Sequence, residues 1–135
     1  MTVALTKDSI DLGIVVRDAD AMVAFYRDLL GFEDTGTMDM PDGSTMHRLR
    51  CGTSLIKLVA PKEAPPATAP PGGIAGATGY RYWTISVSNL DEITTRCAEA
   101  GRRVVIAPRD IRAGVRISIV EDPDGNWLEF LTMSP

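Results

Sequence analysis

The sequence predicts an α+β fold built from two copies of one βαβββ module, and three observations carry that reading. A strand pattern ending in a helix-capping residue occurs twice, at Asp11-Leu12-Gly13-Ile14-Val15-Val16-Arg17-Asp18 and at Tyr82-Trp83-Thr84-Ile85-Ser86-Val87-Ser88-Asn89. Each copy is followed by a helical stretch that stops at a glycine, Gly31 or Gly101. Each module then closes on an apolar strand with one charged residue in its middle, Lys57 in Gly52–Val59 and Glu129 in Asp122–Phe130. One supersecondary unit used twice fixes an architecture, so such repetition outranks local propensity.

The elements follow in order. Asp18 and Asn89 are short polar residues able to accept from the first free amides of a helix, and Glu92 stands where a capping box would place it. The first helix is expected over about 19–30, with Met22, Phe25, Tyr26, Leu29 and Leu30 on one face. The second is expected over about 90–100, with Ile93, Cys97 and Ala100 inward. Gly31 and Gly101 serve as C-terminal caps. Three strands follow each helix: about 33–38, 45–50 and 55–59 in the first module, and about 103–107, 115–120 and 127–132 in the second. Pro41-Asp42-Gly43, Gly52-Thr53 and Asp122-Pro123-Asp124-Gly125 supply turn residues between strands. The modules occupy about 9–60 and 80–133 of a single domain over 1–135. Residues 61–79, rich in Pro, Ala and Gly, read as a linker or cover loop.

Composition sets the class. The chain has 135 residues, 44% hydrophobic and 24% charged, as expected of a soluble globular domain with a core of its own. Its net charge of −4 and pI near 4.9 argue against nucleic acid or an anionic membrane as partner. No apolar run approaches the ~20 residues of a membrane span, and no secretory signal pattern opens the chain. Cys51 and Cys97 have neither metal nor redox spacing and read as buried free thiols in a reducing compartment, so a cytoplasmic location is expected.

Strand alternation sorts the side chains into two faces. Leu12, Ile14, Val16, Ile56, Leu58, Trp83, Ile85, Val87, Leu128 and Phe130 form the purely apolar set and should pack under the helices. Asp11, Gly13, Val15, Leu55, Lys57, Val59, Tyr82, Thr84, Ser86, Trp127, Glu129 and Leu131 form the mixed set on the opposite face. A carboxylate such as Glu129 in an apolar strand needs a partner, because burying it alone is costly.

The order and spacing of Val15-Val16-Arg17-Asp18, Phe25-Tyr26-Arg27-Asp28-Leu29-Leu30-Gly31-Phe32 and Asp122–Phe130 resemble the vicinal oxygen chelate superfamily. That group includes glyoxalase I, bleomycin- and fosfomycin-resistance proteins and extradiol dioxygenases. The resemblance implies that the paired modules curl into a concave mixed sheet with helices on the outer face, that a small organic ligand lies in the concavity, and that the protein is a homodimer. It also places the family's four metal-ligand positions at Asp11, Lys57, Tyr82 and Glu129. Only Glu129 agrees with the usual His/Glu pattern. A protonated Lys57 cannot ligate, and neutral Tyr82 is a poor ligand. The expectation is therefore a largely lost metal site, with no metal or cofactor.

If the four strands meet as the family's do, Asp11, Lys57, Tyr82 and Glu129 converge as the candidate catalytic group. Lys57 could neutralise a carboxylate or hold an anionic or carbonyl oxygen, Tyr82 could donate a hydrogen bond, and Glu129 or Asp11 could act as a base. An ion pair filling a vestigial site is the structural alternative. Trp127, His47, Arg48, Arg50 and Thr84 are the candidate ligand-binding residues. Trp127 could stack on a planar ligand, and Arg48 and Arg50 could hold a carboxylate or phosphate. The face of His47 depends on hairpin register, which sequence does not fix. Three functions stay open: a metal-independent acid/base enzyme of isomerase or lyase type, a non-catalytic drug-sequestering resistance protein, and a metal-dependent lyase or dioxygenase using Asp11, Glu129 and His47.

Overall fold

The computed structural model describes residues 2–134. The chain divides into two compact units, Met1–Pro66 and Ala67–Pro135, and each holds one βαβββ module. The first contains β1 (Leu12–Val15), α1 (Ala19–Val23), β2 (Glu33–Asp39), β3 (Thr45–Cys51) and β4 (Ser54–Ala60). The second contains β5 (Tyr82–Ser86), α2 (Leu90–Glu99), β6 (Val104–Arg112), β7 (Val115–Glu121) and β8 (Trp127–Met133). The sheets have the same topology, β1-β4-β3-β2 and β5-β8-β7-β6. In each, the first strand runs parallel to the last and the other pairs are antiparallel. The predicted α+β class and both modules are present.

The repeat holds at the level of single residues. Gly13 and Thr84 occupy equivalent places in the two first strands, and they pair with Lys57 and Glu129 respectively. The faces also alternate as the sequence pattern requires. Ile56, Leu58, Leu128 and Phe130 are buried on the helix side with Met22, Tyr26, Ile93 and Cys97. Burying a side chain of this size stabilises by about 1.5–3 kcal/mol.

Four local departures have physical causes. The first helix is not α-helical throughout: after α1 the chain widens into a π-helical stretch, Ala24–Leu29. Leu30 N–H donates to the Phe25 carbonyl at 3.0 Å, five residues back. The wider turn lets the adjacent residues Phe25 and Tyr26 both point inward. Their rings meet edge-on at 4.8 Å, and Tyr26 stacks on Phe32 at 5.7 Å. Asp18 caps α1 by accepting from the Ala21 amide at 3.0 Å, but Asn89 makes no side-chain cap on α2, so the capping-box expectation fails. Ala100 is exposed as the C-cap rather than inward. The inward polar residue of α2 is Thr94: its hydroxyl donates to the Leu90 carbonyl and, having spent its one proton, accepts from Ser118 on β7 at 2.7 Å. Finally, β6 extends to Arg112, five residues past its expected end.

Residues 67–79 are no free linker. They form a strap on the second unit, with a 3-10 turn at Gly73–Ala75. The Arg81 guanidinium holds it, donating to the Gly73 carbonyl through Nε and to the Pro70 carbonyl through Nη2, both at 2.6 Å. Gly73 lies flat against the indole of Trp127, where a Cβ would come within 2.1 Å of the ring. Its φ of +54° also belongs to the left-handed region that glycine tolerates.

Candidate functional site

In the first unit, the face of the sheet turned away from α1 is ordered in rows by strand register. Gly13, Lys57 and Arg48 form one row across β1, β4 and β3. Val15, Val59, Met46 and Met38 form the next, across all four strands. Leu55, Arg50 and Glu33 form the row on the other side. Arg50 is paired with Glu33. Arg48 and Lys57 stand directly opposite each other, and no acidic side chain bonds either of them among the described residues. Like charges placed directly across a sheet repel.

Asp11 lies just before β1. Its Oδ1 accepts from Lys7 Nζ at 2.7 Å and from the Leu55 amide at 3.0 Å. The Lys7 bond, then the Leu55 amide, hold its carboxyl below the usual carboxylate range, and the field of Lys57 adds to this. A base at neutral pH needs the opposite shift. The sequence reading missed Lys7, because a lysine in an irregular N-terminal segment carries no periodic signal. His47 sits on the other side of the sheet. It pairs with Leu58, one residue out of phase with Arg48 and Lys57, so the register separates it from that group.

In the second unit, Tyr82 and Thr84 on β5 share the open face with Trp127 and Glu129 on β8. Thr84 lies directly opposite Glu129, and its hydroxyl donates to Glu129 Oε1 at 2.7 Å. Ile119 on β7 flanks Glu129 from the other side and is buried. Tyr82 is half exposed. Trp127 offers no free ring face at Gly73, and its indole N–H donates to Glu121 Oε2 at 3.1 Å. That glutamate also receives Arg103 at 3.1 Å. The indole is thus tied into the strap through Gly73 and into the β7–β8 turn through Glu121.

That turn is built by Asp122, which is buried. Its Oδ1 accepts from the amides of Asp124 and Asn126 at 3.0 and 2.9 Å, and Asn126 Nδ2 closes on Oδ2 at 2.9 Å. An aspartate satisfying its own turn in this way fixes where β8 begins, and with it the face on which Glu129 emerges. The strap, Tyr80, Arg103, Glu121 and the Asp124–Asn126 segment enclose a cavity of about 230 Å³. Elsewhere, Arg116 pairs with Asp91 and Asp110. Among the described residues, no three His, Cys, Asp or Glu side chains are grouped to hold a metal ion.

A family model described as the Glyoxalase/Bleomycin resistance protein/Dioxygenase superfamily matches residues 8–130. The chain belongs to that superfamily, and the vicinal oxygen chelate resemblance of its motifs holds. Among solved structures, SMU.1112c is 25% identical, with a TM-score of 0.77 over 94% of this chain and 99% of that one. The trypanothione-dependent glyoxalase I of Leishmania major is 20% identical, with a TM-score of 0.72 over 94% of this chain and 87% of that one. TnmS3, an antibiotic binding protein from Streptomyces sp. CB03234, is 18% identical, with a TM-score of 0.71 over 97% and 100%. The last two likenesses show a shared fold and nothing further. No curated protein matches the chain. No helix among the described residues is long and apolar enough to cross a membrane.

Proposed function

We propose that this protein binds a small organic ligand on the open faces of its sheets and works without the divalent metal of its family. One observation carries the reading: Lys57, at a family metal-ligand position, faces a second cation, Arg48, across the sheet. An ammonium beside a guanidinium repels a divalent ion and attracts an anionic or carbonyl oxygen. The other family positions agree. Asp11 is occupied by Lys7 and the Leu55 amide, Tyr82 is a neutral phenol, and Glu129 is the one carboxylate of the usual kind. The donor set does not fit a divalent cation.

In this reading Lys57 and Arg48 hold a ligand's oxygen on the first unit, and on the second unit Glu129, which accepts from the Thr84 hydroxyl, is the base of a metal-independent isomerase or lyase. Asp11 serves to position the start of β1 rather than to move protons. Arg50, engaged by Glu33, and His47, on the helix side, stand outside the ligand contacts. The two modules form a single domain of a cytoplasmic homodimer, and the two free cysteines suit a reducing compartment. Light scattering tests the dimer.

Elemental analysis tests the metal. Protein purified without chelators, then incubated with zinc, nickel, manganese or iron(II), should hold none stoichiometrically. A stoichiometric metal removed with loss of activity would overturn the proposal. The second reading is non-catalytic sequestration, favoured by the shared fold with the antibiotic-binding TnmS3. It predicts stoichiometric binding with no product, and unchanged binding in Glu129→Gln.

A further inference from the structure

We infer that the ligand of the first unit is a small amphipathic anion, its charged head held by Arg48 and Lys57 and its apolar body laid along the neighbouring row. The inference rests on the ligand-binding reading above and names the chemical class it leaves open. The head site follows from charge. Arg48 and Lys57 are cross-strand neighbours, both half-buried, and neither is neutralised by a bonded carboxylate among the described residues. The nearby acids are already engaged, Glu33 by Arg50 and Asp11 by Lys7. A repelling pair on one face is relieved by an anion placed between its members.

Space and polarity agree with this. The third place in the cation row is Gly13, and a Cβ built there meets nothing within 4 Å. Open room therefore lies beside the Lys57 stem where any other residue would project a side chain. Two residues further along the strands, roughly 7 Å away, the face turns wholly apolar at Val15, Val59, Met46 and Met38. Val15 is 58% exposed and Met38 44% exposed, so the row is uncovered at both ends. Its four strands span about 14 Å at the usual spacing between strands, enough for a short chain or a ring system. On the opposite side of the head site, the row holds the Arg50–Glu33 pair and a single apolar residue, Leu55, against four apolar residues in the Val15 row. The face thus favours one anionic end and one apolar end, in a defined direction. Two methionines in the row give an adaptable contact.

Carboxylates and phosphates share this chemistry, so matched probes separate them. Isothermal titration on the full chain should detect octanoate, octyl phosphate or both, with acetate and inorganic phosphate at least tenfold weaker. Octanol and octylamine, which keep the chain and change the head, should also be at least tenfold weaker than the best anion. Lys57→Met and Arg48→Gln should each lower octyl-anion affinity at least tenfold, and added salt should weaken binding. Val15→Asn, at an exposed position of an edge strand, should weaken octyl anions while leaving inorganic phosphate unchanged. Circular dichroism confirms that each variant folds. Equal binding of octanol or octylamine, or no effect of Lys57→Met, would overturn the anion inference and leave small-molecule binding intact. Failure of every probe, of any charge, would remove both. Dissociation of a dimer by the octyl probes would assign the face to a second copy of the chain and overturn the inference.

Discussion

Arg81 should decide whether residues 67–79 behave as a strap or as a loop. Its two short bonds reach carbonyls of Gly73 and Pro70 at 2.6 Å, and the Pro71 carbonyl lies at 3.5 Å. Hydrogen bonds involving a charged donor contribute about 1.5–3 kcal/mol each. Arg81 is only half-buried, so the lower figure applies, giving about 3 kcal/mol for the two short bonds. Each 1.4 kcal/mol is tenfold in an equilibrium, so Arg81→Met should raise strap opening roughly a hundredfold. The readout is cleavage at Ile74, which is 61% exposed, by thermolysin under native conditions, where the rate follows the open population when closing is fast. Trp127 emission should shift to the red as Gly73 leaves the indole. Arg81→Lys keeps the charge but loses the fork that reaches both carbonyls, so it should behave more like Arg81→Met than like the parent. Equal cleavage rates for the parent and Arg81→Met would refute the argument, as would full protection by lysine.

Gly73→Ala should open the same strap by another route. Its Cβ would meet the Trp127 ring at 2.1 Å in a left-handed backbone, and the same protease assay reads it. Thr94→Val should cost about 1–3 kcal/mol in urea unfolding, because it leaves the buried Ser118 hydroxyl without an acceptor. Thr94→Val with Ser118→Ala should cost less than the sum of the singles. Burial pushes the Cys97 thiol up from about 9 to about 11, against a smaller opposing pull from Arg96 and Arg102. The raised value means that its stabilisation is complete below pH 9 and is lost as pH rises toward 11. Chemical denaturation at stepped pH should show that loss in the parent and not in Cys97→Ala. Asp11, lowered by Lys7 and the Leu55 amide, stabilises above 3.8 and loses its contribution as pH falls through its lower folded value. Carbon-detected NMR titration should show its pKa moving part of the way back toward 3.8 in Lys7→Met, since the amide bond survives. An unmoved titration would assign the shift to the amide alone.

The candidate site was legible in the sequence to different depths. The faces of Lys57, Thr84, Trp127 and Glu129 followed from alternation and hold in both sheets. The face of His47 did not, because a period of two says only that Arg48 and His47 point opposite ways; the hairpin register places Arg48 with Lys57. The inward side of the second helix was misjudged at Ala100 for a related reason. Apolar periodicity favours an alanine over Thr94, whose hydroxyl is acceptable inside only because Ser118 on β7 meets it.

The sequence by itself determined the two βαβββ modules, the turns that bound them, the Asp18 cap and the helix-ending Gly31 and Gly101, and the kind of residue on each face. These properties come from contacts between residues close along the chain, where backbone period and side-chain chemistry act directly. Tertiary structure decided what those residues meet. Lys7 takes Asp11, Glu33 takes Arg50, and Gly73, 54 residues away in sequence from Trp127, takes its indole. It also brought Arg48 and Lys57 face to face, leaving two adjacent cations without a bonded counterion among the described residues. Such partnerships depend on strand register and loop closure, and neither leaves a periodic trace in the order of the amino acids.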